Sequence, residues 1–166
     1  MESAASTSRT GTAGARSGGL PFVDEHNLAI HAPAAAVWAA LAEVAPGMGS
    51  GAAGRYAGLV GAEPRHRSGR FPEPGASVPG FAVADAVPER LLRLAGRHRF
   101  ARYELTFRLA PGAEPGETVL RAETRAEFPG FAGAVYRTLV IGTGGHRVVV
   151  PRLLRVVRSR AEQRAD

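Results

Sequence analysis

The sequence predicts an α+β domain in which a curved antiparallel sheet is covered by one long C-terminal helix. Two observations carry this prediction. Between about residues 80 and 128, apolar and charged side chains alternate along consecutive segments joined by short turns, which is typical of an antiparallel meander with one wet face. From residue 131 to about 163 the apolar period becomes helical, and only this segment is long enough to cover the dry face.

The N-terminal third holds a tail, a strand and a helix. Residues 1–19 combine Ser, Thr, Ala, Gly and Arg without apolar periodicity, so we predict a disordered tail, followed by a single domain over 20–166. Residues 22–31 alternate loosely and predict the first strand. The alanine-rich segment 34–44 predicts a helix. The glycine-rich segment 47–61 predicts a mobile connection with one short helical turn around Tyr56.

The middle of the chain predicts the meander itself. A weak strand is expected over 59–67, and a loop over 68–77. Four clearer strands follow, and each places one set of side chains on the dry face. The predicted inward residues are Phe81, Val83, Asp85 and Val87; Leu92, Leu94, Gly96, His98 and Phe100; Tyr103, Leu105, Phe107 and Leu109; and Leu120, Ala122, Thr124, Ala126 and Phe128.

Composition excludes several function classes. The 166 residues include no Cys, which excludes disulfides, thiolate metal sites and cysteine nucleophiles. The net charge is +6, and all 21 basic residues are Arg. Such a charge suits nucleic acid or anionic membranes, but a lysine-free chain rich in Ala, Gly, Arg and Pro is typical of a GC-rich genome. We therefore predict no nucleic-acid partner. Without an apolar run of spanning length or a secretory signal, we expect no membrane span and a cytoplasmic protein.

Several segments resemble a known family. These are HAPAAAVWAAL at 31–41, GFAVADAVPERLLRLAG at 80–96, RYELTFRL at 102–109 and the terminal helix. Together they resemble the START-related SRPBCC superfamily, which includes polyketide cyclase/dehydrase-like proteins. The resemblance covers about residues 20–163. It implies the helix-grip fold with six or seven strands, and it implies a hydrophobic ligand such as a lipid or a polyketide, with a minority of members acting as enzymes.

A bent sheet around one helix leaves a space between them, and a concave apolar space is the default ligand site. We expect this cavity to be lined by inward side chains of the strands and by the terminal helix. The predicted ligand-binding residues are Phe81, Val83, His98, Phe100, Tyr103, Leu105, Phe107, Thr124, Tyr136, Leu139, Thr143 and His146.

Three of the inward residues carry acid/base chemistry. A buried His98 imidazole could act as a general base, although a histidine at a strand end commonly bonds to backbone or water. The Tyr103 hydroxyl could donate to a ligand oxygen, or it could end at the rim of the core. A buried Asp85 could move protons, whereas a wet strand end would leave it inert. No histidines have metal-ligand spacing, so neither a metal nor a cofactor is predicted.

The sequence thus predicts a protein that binds a small hydrophobic ligand in an internal cavity. The alternative is a polyketide cyclase or dehydratase that uses His98, Tyr103 and Asp85 as acid/base groups. A third class, a protein-interaction or chaperone-cofactor module, would use the basic terminal helix. The sequence decides neither the ligand nor the oligomeric state.

Overall fold

A computed structural model describes residues 19–130 and 145–165 of the chain. The strands are β1 (Phe22–Ile30), β2 (Ser77–Val78), β3 (Phe81–Val87), β4 (Leu91–His98), β5 (Ala101–Pro111) and β6 (Thr118–Glu127). The α-helices are α1 (Ala34–Val44), α2 (Gly51–Leu59) and α3 (Gly145–Ala165), and a 3-10 turn spans Ala45–Gly49. The predicted tail lies outside the described residues, apart from Gly19.

The six strands form one open antiparallel sheet in the order β1-β6-β5-β4-β3-β2. The chain's last strand therefore pairs with its first, and the meander from β2 to β5 runs outward to the other edge. The sheet curves without closing, and α3 is C-terminal to it. This is the predicted α+β architecture, which is confirmed.

One face of the sheet, here called the inner face, carries the core. The register aligns Phe107 with Leu92 on one side and with Ala122 on the other, and all three are buried. Helix α1 packs on this face through Val37 and Leu41, which belong to the same core cluster. The alternation that predicted the strands therefore also identified the buried face.

Helix α3 packs against α1 and β1. Its buried side chains recur at helical spacing, and they join the core cluster: Val150, Leu153, Leu154, Val157 and Ala161. At the protein surface, the Glu43 carboxylate of α1 accepts hydrogen bonds from Arg160 and Arg164 of α3. The two helices are thus joined by an apolar seam with an ionic rim.

The predicted strand over 59–67 is wrong. The helical turn expected around Tyr56 extends to Leu59 as α2, and Gly61 then turns the chain with a positive φ of 67°. Only Glu63 forms an isolated bridge, with Arg97. Proline at position 64 has no N–H for a ladder, which stops the segment from pairing further. The sixth strand is instead β2, within and just after the segment predicted as a loop.

Candidate ligand site

The inner face has two ends of different chemistry. The closed end holds Ile30, Leu92, Phe107 and Leu120, each 0% exposed. The aromatic end lies where β4 leads into β5, and it holds Phe81, His98, Phe100 and Tyr103, which are all partly exposed. These four are predicted site residues, and the structure brings them together. The alternation had placed Phe100 on the strand, but the structure places it in the turn after β4.

Tyr103 lies across its neighbouring strand. It is opposite Gly96 in the register, and its hydroxyl donates a 2.8 Å hydrogen bond to the Gly80 carbonyl beyond. A Cβ at Gly96 would come within 2.1 Å of that carbonyl oxygen and 2.6 Å of the Tyr103 ring. Gly96 therefore has no room for a side chain of its own. Instead, its missing side chain is the space that Tyr103 fills.

Burial raises the pKa of Tyr103 to about 12. The phenol therefore stays protonated around neutral pH, which suits a permanent hydrogen-bond donor. Because this hydroxyl already donates to the backbone, its main effect is to fix the ring. Phe81 packs edge-on against that ring, with centroids 5.2 Å apart and an interplanar angle of 72°. The two rings form a rigid wall.

His98 completes the cluster at the end of β4. Its ring centroid lies 5.5 Å from that of Tyr103 and 6.2 Å from that of Phe100. Its Nδ1 accepts a 3.1 Å hydrogen bond from the Phe100 backbone N–H, so the neutral ring carries its proton on Nε2. Burial lowers the pKa of His98, which favours this neutral form. The imidazole is thus an oriented hydrogen-bond donor inside an aromatic environment.

Asp85 lies on the opposite face, so its predicted position beside Phe81 and Val83 is wrong. The register shifts between Val83 and Asp85, and Asp85 aligns with Arg93 on the charged outer face. A β-bulge inserts one residue and so reverses the alternation beyond it. Ala86 then aligns with Leu92 and returns to the core. Nothing in the alternating segment marked this bulge.

Of the remaining eight predicted site residues, four lie on the strands and four in the terminal segment. Val83, Leu105 and Phe107 are buried members of the core cluster. Thr124 is partly buried and lies opposite Leu105 on the inner face. The other four come from the terminal segment: Tyr136, Leu139 and Thr143 lie outside the described residues, and the side chain of His146, in the first turn of α3, is not described.

Sequence reasoning missed a polar group on β1. A register shift between Phe22 and Asp24 places the Asp24 side chain opposite Thr124, on the inner face. Two residues on, His26 lies opposite Ala122, and its Nε2 is 3.5 Å from an Asp24 carboxylate oxygen. A carboxylate beside an imidazole can share a proton or orient the ring. The alternation of Asp24 and His26 with Leu28 was the signal that could have identified the pair.

The described residues line a cleft and a smaller hollow. The cleft has a volume of about 600 Å³, and its lining includes Ala82, Ala95, Gly96, Arg102, Tyr103 and Glu104. A hollow of about 220 Å³ lies between α2 and the backbone at Gly80. Over residues 19–130 and 145–165, no cluster of three potential ligands could hold a metal ion. Within the same ranges, no helix has the length and apolar character needed to cross a membrane.

Comparison with known proteins identifies the fold. Norcoclaurine synthase of Thalictrum flavum, solved as a point mutant with a transition-state analogue, is similar at a TM-score of 0.54 and 15% identity, over 86% of this chain and 95% of that one. A conserved protein of Geobacillus kaustophilus is similar at a TM-score of 0.51 and 14% identity, over 84% of this chain and 94% of that one. A protein of Nitrosospira multiformis is similar at a TM-score of 0.51 and 13% identity, over 82% of this chain and 93% of that one. No family model and no curated protein matches the sequence.

These likenesses extend over most of each chain, so the whole described domain shares one fold. With its open six-stranded antiparallel sheet and C-terminal helix, the chain has the helix-grip fold. The resemblance to the START-related SRPBCC superfamily is confirmed at the level of this fold. Function has to be argued from the site, since one fold supports many activities.

Proposed function

We propose that the protein binds a small hydrophobic molecule, lipid-like or polyketide-like, between the aromatic end and the terminal helix. One observation carries the proposal: the closed end is packed to 0% exposure, whereas the rings of the aromatic end stay partly exposed on the same face. Partly exposed rings around a few oriented polar groups are what ligand sites in proteins offer.

Each group at this end has a role in such binding. Phe81 and Tyr103 supply a rigid apolar wall, and a wall that is already ordered loses little entropy when a ligand binds. His98 adds an imidazole whose Nδ1 is held by the Phe100 backbone N–H, and Asp24 and Thr124 add polar groups on the inner face of the adjoining strands.

The enzyme alternative loses two of its three acid/base groups. Asp85 is on the outer face, and the Tyr103 hydroxyl is a high-pKa donor held by Gly80. A cyclase or dehydratase would then depend on His98. Norcoclaurine synthase is an enzyme with this fold, so we keep catalysis as the alternative. Turnover by a His98→Asn variant at the wild-type rate would exclude this form of it.

Native mass spectrometry of the freshly purified protein tests the main proposal. We expect an organic molecule of a few hundred daltons to copurify. Titration with the neutral fluorescent probe N-phenyl-1-naphthylamine then locates the site. The Phe81→Ala change should weaken binding about tenfold or more, because the ring loses its contacts with the probe. Phe22→Ala is the matched control, since Phe22 is 59% exposed and aligns with Arg125. Equal affinity of both variants would contradict the proposal.

A further inference from the structure

Helix α2 presents an apolar tip to solvent. Leu59, its last residue, is 85% exposed, and Tyr56, one turn earlier, is 45% exposed. Leucine is among the residues most often buried in folded proteins. Tyr56 and Leu59 are three residues apart on the helix, so the two exposed side chains are neighbours and form a small apolar patch.

The chain around this tip is strongly basic. Residues 51–67 and 97–102 together hold six arginines and one acidic residue, Glu63. That carboxylate is already occupied, because it accepts a 2.8 Å hydrogen bond from Arg97. The structure places the two segments side by side, since the Arg99 backbone N–H donates to the Val60 carbonyl at 3.3 Å.

We name the group formed by Arg55, Tyr56, Leu59, Arg65 and Arg99 the basic tip. Arg55 belongs to α2 itself, and Arg65 lines the hollow beneath it. All three arginines of the group are exposed. Exposed apolar side chains with exposed arginines in the same and adjoining segments match the chemistry of a bilayer surface, where apolar side chains insert and arginines meet anionic headgroups.

Among the helices and strands of the described residues, α2 contacts mainly the short 3-10 turn before it. Gly54, Ala57 and Gly58 face the hollow of about 220 Å³, and the far wall of this hollow includes Gly80. Gly80 is the residue whose carbonyl holds Tyr103 at the aromatic end. The hollow under α2 therefore adjoins the residue that holds the Tyr103 ring of the candidate ligand site.

We propose that the basic tip docks the protein on anionic phospholipid membranes. A protein partner is disfavoured because a stable interface needs about 800 Å² on each side, and two exposed apolar side chains supply only a small part of that area. A bilayer requires no such complementary patch. Docking goes beyond the proposed ligand binding, and it would bring the aromatic end close to a source of hydrophobic molecules.

Vesicle flotation tests the proposal with the full-length protein. We expect binding to phosphatidylcholine vesicles that contain phosphatidylglycerol, little binding to phosphatidylcholine alone, and loss of binding as salt rises. Replacing Arg55, Arg65 and Arg99 together by alanine should weaken binding by about fivefold for each arginine. The matched control replaces Arg152, Arg155 and Arg158 of α3, which are also exposed, and should bind like the wild type.

A Leu59→Ser variant separates insertion from charge, and it should lose affinity severalfold while its salt dependence stays unchanged. Circular dichroism and N-phenyl-1-naphthylamine binding show that each variant is folded. An equal loss of vesicle binding in the α3 control would overturn the proposal. Failure of the wild type to bind anionic vesicles would overturn it too, and retention of the protein on polyglutamate in that case would indicate an acidic protein partner. Vesicle binding without any binding of the probe would reject the ligand proposal and leave docking intact.

Discussion

The closed end and the aromatic end are built on the same strands, yet they are held together by different means. At the closed end, Phe107, Leu92 and Leu120 are fully buried in one apolar cluster that also includes residues of both α1 and α3. At the aromatic end, side chains are held by bonds to the backbone: Tyr103 to Gly80, and Phe100 N–H to His98. The comparison indicates that burial at the closed end stabilises the fold, whereas the aromatic end presents an ordered and partly exposed surface.

Removing one aromatic ring at each end tests this difference in packing most strongly. Phe107→Ala should destabilise the protein by about 3–5 kcal/mol, because a fully buried ring leaves a cavity that the core cannot close. Phe81→Ala, at a partly exposed position, should cost about 1 kcal/mol or less. Urea unfolding followed by circular dichroism measures both free energies. Similar losses in the two variants would mean that the ends are packed alike.

The sequence predicts the closed end better than the aromatic end, and the reason is physical. At the closed end, strict alternation specifies which face is buried, and the residues on it were identified correctly. The bulge before Asp85 reverses the alternation, and no residue type in the strand marks it. The contact between Tyr103 and Gly80 joins residues 23 positions apart, so it depends on tertiary placement that periodicity does not contain.

The second effect in size concerns the glycine under Tyr103. Gly96→Ala should destabilise the fold by about 1–3 kcal/mol, because the new methyl group overlaps the Gly80 carbonyl and the Tyr103 ring. Thermal unfolding measures the loss. The control is Ala95→Gly on the neighbouring residue, which removes a methyl group from the outer face and should cost roughly 0.5–1 kcal/mol. A Gly96→Ala variant as stable as the wild type would contradict the close packing described here.

A smaller effect follows from the hydroxyl of Tyr103. Tyr103→Phe should lose about 1 kcal/mol at neutral pH through the missing hydrogen bond to Gly80. Because the folded-state pKa of about 12 exceeds the unfolded value of 10, this tyrosine stabilises the wild type fully below pH 10. That contribution falls as pH rises from 10 to 12. Urea titrations in this range should show the wild type losing stability faster than the variant; parallel curves would contradict the buried, protonated phenol.

The smallest expected effect is the acid sensitivity of His98. Burial lowers its folded-state pKa below 6.5, so the folded protein binds the proton less readily than the unfolded chain. Its contribution is complete above pH 6.5 and is lost as pH falls through that value toward the folded-state pKa. His98→Asn should remove this part of the acid destabilisation. An NMR titration that placed the pKa of His98 above 6.5 would reject the desolvated position.

A fluorine NMR titration tests directly whether a hydrophobic ligand binds at the aromatic end. All seven phenylalanines would be replaced by 4-fluorophenylalanine, and Phe81, Phe100 and Phe107 would be assigned by single Phe→Leu variants. On addition of N-phenyl-1-naphthylamine, we predict that the resonances of Phe81 and Phe100 shift and saturate together while that of Phe107 stays in place. Binding at the aromatic end would be contradicted if only the Phe107 resonance shifted and saturated. It would also be contradicted if none of the three resonances shifted.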